Sequence, residues 1–359
     1  MIIHVFTANR THLVPSIIRG FIEKITGEHF FLLASDSEFD KTTYENLFSK
    51  YSHKRYKFVT SFFELIAEAK KYKNNYILLH GVPYHWMLYF TLFGFKNVNW
   101  ICWGTGAKIN DNIKSKLSAP LKKLIYKRFD KVITLMEQDS KSLKEDFGIN
   151  STVIPYMGLH YKFPYSRDHL EKNKLDVNNI VYIGNNSSAL STYQPMIEKL
   201  SKFNKKIKVK CMLNYSFKKS KMSDNLIKRG QELFGENFSI DTKLYSLNEY
   251  YEYMDKCDIY ICAVEKQTGL SAIYTALRLG KKLFLKGKNY EWIKSLGCKV
   301  FHVDGIDTMN IEDFTKPLPL ATKYHNHALI IELLNEDKLI NKWNSVLAYK
   351  KNELYIHII

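Results

Sequence analysis

Residues 259–285 read IYICAVEKQTGLSAIYTALRLGKKLFL. Ile259 to Val264 form an apolar run of strand length. Glu265-Lys266-Gln267-Thr268-Gly269 then puts charge, amide, hydroxyl and glycine into one short turn. Leu270, Ile273, Tyr274 and Leu277 follow at i, i+3, i+4 and i+7, the stripe of a helix. A second apolar run closes the stretch at 282–285. Strand, helix and strand in this order make a βαβ unit, the building block of a parallel sheet.

The same rhythm runs along the whole chain. In the first half, strands are expected at 2–6, 29–33, 57–59, 76–80, 98–102, 131–135 and 152–154. Helices are expected between them at 13–25, 61–72, 84–94, 118–129 and 138–146. The second half repeats this with strands at 179–183, 207–211, 238–240, 258–262, 282–285 and 299–302, and helices at 192–203, 221–234, 247–255, 270–279 and 289–295. Residues 155–177, PYMGLHYKFPYSRDHLEKNKLDV, read as a linker. Two doubly wound domains follow, over 1–160 and 175–325, facing each other across a cleft. A helical stretch over 323–349, running from the end of the second domain into a final segment 326–359, is expected to pack back across the junction.

Composition agrees with two cores. The chain has 359 residues, 45% of them hydrophobic, too many for one ordinary domain. Five cysteines show no CxxC and no zinc spacing, which implies free core thiols in a reducing compartment. The start, MIIHVFTANR, reads as a first strand rather than a signal peptide. Residues 74–95 carry no Lys, Arg, Asp or Glu, but His80, Gly81, Pro83 and His85 divide them into strand 76–80 and helix 84–94 instead of a membrane span. The formal charge of +17 points to an anionic partner: nucleic acid, anionic lipid or a phosphorylated substrate.

In open parallel sheets, ligands bind beyond the carboxyl ends of the strands. Those ends carry small and polar residues. After 179–183 comes Gly184-Asn185-Asn186-Ser187-Ser188, with Ser191 and Gln194 at capping-box spacing and Pro195 in the first turn of the next helix. Tyr215 follows the strand at 207–211. The turn 265–269 leads into a helix that Thr268 or Ser271 can cap, and Gly269 and Leu270 offer N–H groups to an anion. Lys266 adds a charge, and Gln267 can bond a sugar hydroxyl. Read alone, each turn is equally an ordinary solvated βα loop, and neither is GxGxxG or a Walker loop.

The chain resembles the family 56 glycosyltransferases, which transfer 4-acetamido-4,6-dideoxygalactose to a polyprenyl-linked intermediate of enterobacterial common antigen. The similar pieces are IHV at 3–5, HG at 80–81, WICWG at 100–104, LKKLIYKRFDKVI at 121–133, VYIGNNSS at 181–188 and KQTGLS at 266–271. The resemblance implies a GT-B fold, hexosyltransferase activity, a dTDP-linked 6-deoxy amino sugar donor and a lipid diphosphate acceptor at the cytoplasmic face of the inner membrane. By position, Gly184, Asn185 and Ser187 would contact the nucleotide diphosphate. Lys266, Gln267 and Gly269 would lie in the donor loop, and His80, Gly81, Trp103 and Gly104 on the acceptor side. The chain departs from the family pattern at Gly106, where an acidic residue is expected, and at Lys266, which replaces an arginine.

Residues 114–131 carry Lys122, Lys123, Lys127 and Arg128 among seven basic side chains, beside a stripe of Leu117, Leu121, Leu124 and Ile125. A basic amphipathic helix of this kind suits an anionic membrane surface, or packs on its own sheet. The neighbouring helix 84–94 is apolar all round, so it is either buried or in contact with lipid. No Asp-x-Asp occurs, so the leaving diphosphate falls to Lys266 and the helix N-terminus, and no metal or other cofactor is expected. His80, His12 and Glu265 are the candidate bases. Three other readings stay open: another nucleotide-sugar donor with a non-lipid acceptor, a basic nucleic-acid-binding protein, and a non-catalytic sugar-binding component.

Overall fold

The computed structural model describes residues 1–348 apart from 11–12, 36–38, 52–54, 105, 110–112, 156–162, 172–178, 185–189 and 215–218. The chain forms two compact units, Met1–Tyr161 with Leu334–Ile359, and Lys162–Leu333.

The first unit is a seven-stranded parallel sheet in the order β3-β2-β1-β4-β5-β6-β7. Its strands are β1 (Ile2–Thr7), β2 (His29–Ala34), β3 (Tyr56–Val59), β4 (Tyr76–His80), β5 (Val98–Cys102), β6 (Lys131–Thr134) and β7 (Thr152–Val153). The connecting helices are α1 (Val14–Lys24), α2 (Thr42–Phe48), α3 (Phe62–Lys70), α4 (Tyr84–Leu92), α5 (Ile113–Tyr126) and α6 (Glu137–Phe147). Helices on both faces explain why the strands are near-continuous apolar runs. Ile3, Val5, Leu32, Ile77, Leu79, Trp100 and Cys102 point to one face, against Leu65 of α3, Trp86 and Phe90 of α4 and Ile125 of α5.

The other face holds a chain of histidines. His4 Nδ1 lies 2.9 Å from His80 Nε2, and His4 Nε2 lies 2.9 Å from His29 Nδ1. His29 Nε2 is 3.2 Å from the Ile25 carbonyl, which only accepts, so this nitrogen carries the hydrogen. With all rings neutral the directions follow: His80 Nε2–H donates to His4, and His4 Nε2–H donates to His29. His80 Nδ1 is left as a buried lone pair without a partner among the described residues. Phe6, Phe21 and Phe31 enclose these rings, and Trp343 packs edge-on against Phe21.

The second unit is a six-stranded parallel sheet ordered β10-β9-β8-β11-β12-β13. Its strands are β8 (Ile180–Ile183), β9 (Lys208–Met212), β10 (Phe238–Asp241), β11 (Ile259–Cys262), β12 (Lys282–Leu285) and β13 (Phe301–His302). The helices are α7 (Leu190–Leu200), α8 (Lys221–Phe234), α9 (Leu247–Asp255), α10 (Leu270–Arg278), α11 (Gly287–Ser295), α12 (Ile311–Thr315) and α13 (Leu320–Leu333). The last helix, α14 (Glu336–Ala348), belongs to the first unit. The tail expected as one helix over 323–349 is therefore two. The break falls at residues 334–335, and residues 326–333 stay with the second unit. Trp343 is buried, Asn344 Oδ1 accepts from the Thr26 N–H at 3.0 Å, and Glu336 pairs with Lys24 at 3.0 Å.

Every expected strand exists to within about two residues at each end. The short α2 and α12 were not foreseen, because five to seven residues carry too little periodicity. Helix α7 begins at Leu190, so Ser191 and Gln194 are no capping box and Pro195 stands inside the helix. The five cysteines are free and buried. Among the described residues, no helix is long and apolar enough to cross a membrane.

Burial holds the His29 imidazole down at about 4 and pushes His4 and His80 well below the ordinary histidine value. The folded state therefore binds fewer protons than the unfolded chain, and stability is full above pH ~6.5 and falls as the pH drops towards 4. For His29 alone the loss is roughly 3 kcal/mol. Urea denaturation across this window should show a falling midpoint, and a flat midpoint would contradict the neutral histidine chain.

Candidate active site

In the second sheet, β8 and β11 are neighbours, although the chain runs from β8 outward to β9 and from β11 outward to β12. This is the point where the strand order reverses, and a crevice opens at the carboxyl ends of such strands. The two turns singled out in the sequence leave from these two strands. Gly184 follows β8 at φ +68°, and its N–H bonds the Ile261 carbonyl of β11 at 2.8 Å. A Cβ there would lie 2.0 Å from the Tyr193 hydroxyl. That hydroxyl donates to the Met212 carbonyl at 3.1 Å. Gly184 thus lets α7 lock the ends of β8, β9 and β11 together.

The turn 265–269 is held from the next strand. Gly287 follows β12 at φ +55°, and a Cβ there would sit 2.4 Å from the Glu265 carbonyl oxygen. Lys288 N–H donates to that oxygen at 3.0 Å, and Lys286 pairs with the Glu265 carboxylate at 3.0 Å. Asn289, wholly buried, donates to the Thr268 carbonyl at 2.8 Å and to Cys262 Sγ at 3.6 Å.

Helix α10 then starts from Gly269 in the left-handed conformation, φ +66° and ψ +25°, with no side chain capping it. The expected caps from Thr268 and Ser271 are absent: the Thr268 backbone is tied to Asn289, and Ser271 is exposed. The first N–H groups of α10 are left without the side-chain partner that usually satisfies such donors. Leu270 is buried and Lys266 is exposed, with no ion pair among the described residues. Gln267 is half-buried, and its Oε1 is shielded from solvent without a partner among the described residues. An anion of diphosphate chemistry fits this end of the helix. Each such interaction contributes roughly 0.3–1 kcal/mol when exposed and up to ~2 kcal/mol when partly buried.

In the first unit, β1 and β4 make the corresponding reversal. Gly81 follows β4 at φ +54°, and a Cβ there would stand 2.6 Å from the Trp103 ring. Gly104 also has positive φ, +82°. The Arg10 guanidinium lies 4.8 Å from the centre of the Trp103 ring. Trp103 Nε1 and Thr7 Oγ1 are buried without partners among the described residues. Gly81, Trp103, Thr7 and Arg10 therefore gather at one strand-end position.

His80 requires a correction. It ends β4, as expected, but its ring is 0% exposed and points into the histidine chain, against Phe6 at 3.9 Å between ring centres. A side chain in a parallel strand faces one helix layer or the other, and His80 faces α1 rather than solvent. Gly106, at φ +91°, leaves no room for an acidic side chain: a Cβ would meet the Tyr126 hydroxyl at 2.9 Å. His12, Asn185, Asn186, Ser187 and Tyr215 lie outside the described residues. Asn289 sits just past β12 in Lys286-Gly287-Lys288-Asn289, a polar strand end of the same kind as the turns at 184 and 265, and its role is not evident from sequence because its partner Thr268 belongs to another turn. Arg10 was missed because its partner, Trp103, is remote in sequence.

A cavity of about 170 Å³ lies at the other end of the second sheet, beside Asp258, Lys281, Lys282 and Lys323. Lys282 Nζ already donates to the carbonyls of Asp313, Phe314 and Lys316, and Lys281 pairs with Asp255, so these cations are structural. Among the described residues, no group of three or more His, Cys, Asp or Glu side chains is placed to hold a metal.

The two parallel-sheet units are those of the GT-B fold. Residues 1–349 match the model of glycosyl transferase group 56, described as 4-alpha-L-fucosyltransferase, and the chain belongs to that family. The structure is similar to HepE of Anabaena in complex with UDP and glucose, with a TM-score of 0.71 at 14% identity over 97% of this chain and 99% of that one. It is also similar to sucrose-phosphate synthase from Thermosynechococcus elongatus, with a TM-score of 0.66 at 12% identity over 97% and 98%. A glycosyltransferase from Rickettsia africae gives 0.60 at 15% identity over 98% of each chain. No curated protein matches the sequence.

Gln267→Ala and Asn289→Ala should separate direct from indirect effects. Loss of Gln267 should weaken donor binding by roughly 0.5–1.5 kcal/mol, or about two- to twelvefold, with the melting temperature unchanged. Loss of Asn289 should weaken donor binding and also cost roughly 1–3 kcal/mol of stability, because the buried Thr268 carbonyl loses its donor. Calorimetry and thermal melting read both, and unchanged donor affinity in both variants would displace the donor turn.

Proposed function

We propose that the enzyme moves a 6-deoxy amino sugar of the 4-acetamido-4,6-dideoxygalactose kind from a dTDP-linked donor to a polyprenyl-diphosphate-linked glycan. The observation that carries the reading is the N-terminus of α10 at the β8–β11 reversal, uncapped among the described residues, with Gln267 Oε1 buried beside it and likewise without a partner among them. The family's description names fucosyl transfer, and fucose is a 6-deoxy sugar. HepE holds UDP and glucose on the same fold.

In this reading the donor diphosphate lies against the Gly269 and Leu270 N–H groups, with Lys266 supplying a full charge. Gln267 bonds a sugar hydroxyl or the acetamido group. As the anomeric carbon–oxygen bond breaks, its electron pair goes to the terminal phosphate oxygen. The new negative charge meets oriented N–H dipoles and an ammonium already in place, so little reorganisation is needed. The acceptor hydroxyl oxygen bonds the anomeric carbon and gives up its proton. Glu265 is engaged by Lys286 and serves as an anchor of the turn. His80 is enclosed in the core, so of the two histidines we assign proton acceptance to His12, which follows β1 in sequence. The acceptor groups are assigned to Gly81, Trp103, Gly104 and Arg10.

A thermal-shift screen of dTDP, UDP and GDP with their sugars tests the donor. The largest stabilisation is expected from the dTDP pair, since ligand binding raises stability by mass action. No shift with any nucleotide would sink the reading. Turnover is expected to persist in excess chelator, and its loss there would overturn the metal-independent assignment. His12→Ala should lower turnover with the melting temperature kept, whereas His80→Ala should lower the melting temperature first.

A further inference from the structure

The described chain exposes thirteen large apolar side chains, and seven of them stand on or at the ends of three helices of the first unit. Ile113, Leu117, Leu121 and Leu124 of α5 are 75%, 77%, 46% and 52% exposed. At about 100° per residue they fall within an arc of about 80°. Ile125, which the sequence places in that stripe, lies about 40° beyond its edge and is wholly buried, as is Tyr126 on the far side.

The face continues onto the neighbouring helices. Arg128 Nη1 donates to the Thr91 carbonyl at 3.3 Å, joining the end of α5 to the last turn of α4. There Leu92 and Phe93 are exposed. Further back along α4, Trp86, Met87 and Phe90 are buried. Phe93 stacks on Tyr89, Tyr89 packs edge-on against Phe62, and the next residue, Phe63 of α3, is 83% exposed.

Charge selects the occupant. Lys116, Lys123 and Lys127 are exposed and line one side of the α5 stripe, whereas Lys122 is half-buried. Neither 84–95 nor 113–129 contains an acidic residue. An apolar ridge flanked by lysines alone suits the boundary between anionic headgroups and acyl chains. A nucleic-acid surface would use the lysines but leave four exposed aliphatic residues unsatisfied, and a protein interface ordinarily mixes charges of both signs.

We propose that the exposed ridge of α3, α4 and α5 is a membrane-docking face. Ile113, Leu117, Leu121, Leu124 and Phe93 enter an anionic bilayer surface, and Lys116, Lys123 and Lys127 engage its headgroups. The face is independent of the donor turn, and its test uses no sugar nucleotide.

The test is co-sedimentation of the full chain with phosphatidylcholine vesicles, with and without phosphatidylglycerol. Binding is expected to the anionic vesicles and to weaken with salt. Combined Lys116→Glu, Lys123→Glu and Lys127→Glu should lower the partition constant about tenfold or more. Combined Leu117→Ser and Leu121→Ser should lower it comparably with every charge kept. All five positions are exposed, so an unchanged melting temperature is expected for both variants. Failure of the natural chain to bind, or binding by the leucine variant equal to it, would overturn the inserted face. A dimer in gel filtration that the leucine variant converts to monomer would assign the ridge to a second copy of this chain instead.

Discussion

The second unit is organised by one constraint, the adjacency of β8 and β11 with their connections leaving in opposite directions. Right-handed crossovers then put the following helices on opposite faces. The backbone at those strand ends finds partners locally. Gly184 answers this on one side by bonding Ile261 and admitting the Tyr193 hydroxyl. Asn289 and Gly287 answer it on the other by holding the turn at Thr268 and Glu265. What these contacts leave unsatisfied is the first turn of α10. A helix start rigidly held from both flanks, yet without a cap, is where oriented N–H groups meet an anion without further rearrangement.

The first unit repeats the topology but fills it differently. Its core face behind β1 and β4 is aromatic and carries three histidines kept neutral by burial. A histidine at a strand end is therefore ambiguous from sequence. It serves chemistry if the strand's pleat turns it to solvent, and packing if the pleat turns it inward. His80 takes the second course because Phe6 and His4 stand beside it on the neighbouring strand. Trp103, Gly81 and Arg10, all half-buried, share the strand-end position in the same unit.

The surface divides in a similar way. An apolar helix and a basic amphipathic helix are both legible as patterns, but a pattern does not say which side meets the sheet. The structure turns Ile125 and Tyr126 inward, leaves the Ile113–Leu124 stripe outward and withdraws Lys122 from it. Leu117, Leu121 and Leu124 of the stripe read from periodicity stay exposed, and Ile113 stands on that face where Ile125 was expected.

The sequence by itself determined the alternation of strands and helices, two parallel-sheet domains, the family through short motifs in fixed order, and the two turns that flank the second reversal. These are local properties: apolar runs, 3.6-residue stripes and glycines at strand ends are written in neighbouring residues. Only the tertiary structure decided the inward facing of His80, the bond from Asn289 to Thr268, the stacking of Arg10 on Trp103 and the return of α14 to the first unit. Each of these joins groups far apart along the chain. Their geometry is fixed by which strands become neighbours and which face each pleat presents, and a one-dimensional pattern does not contain that.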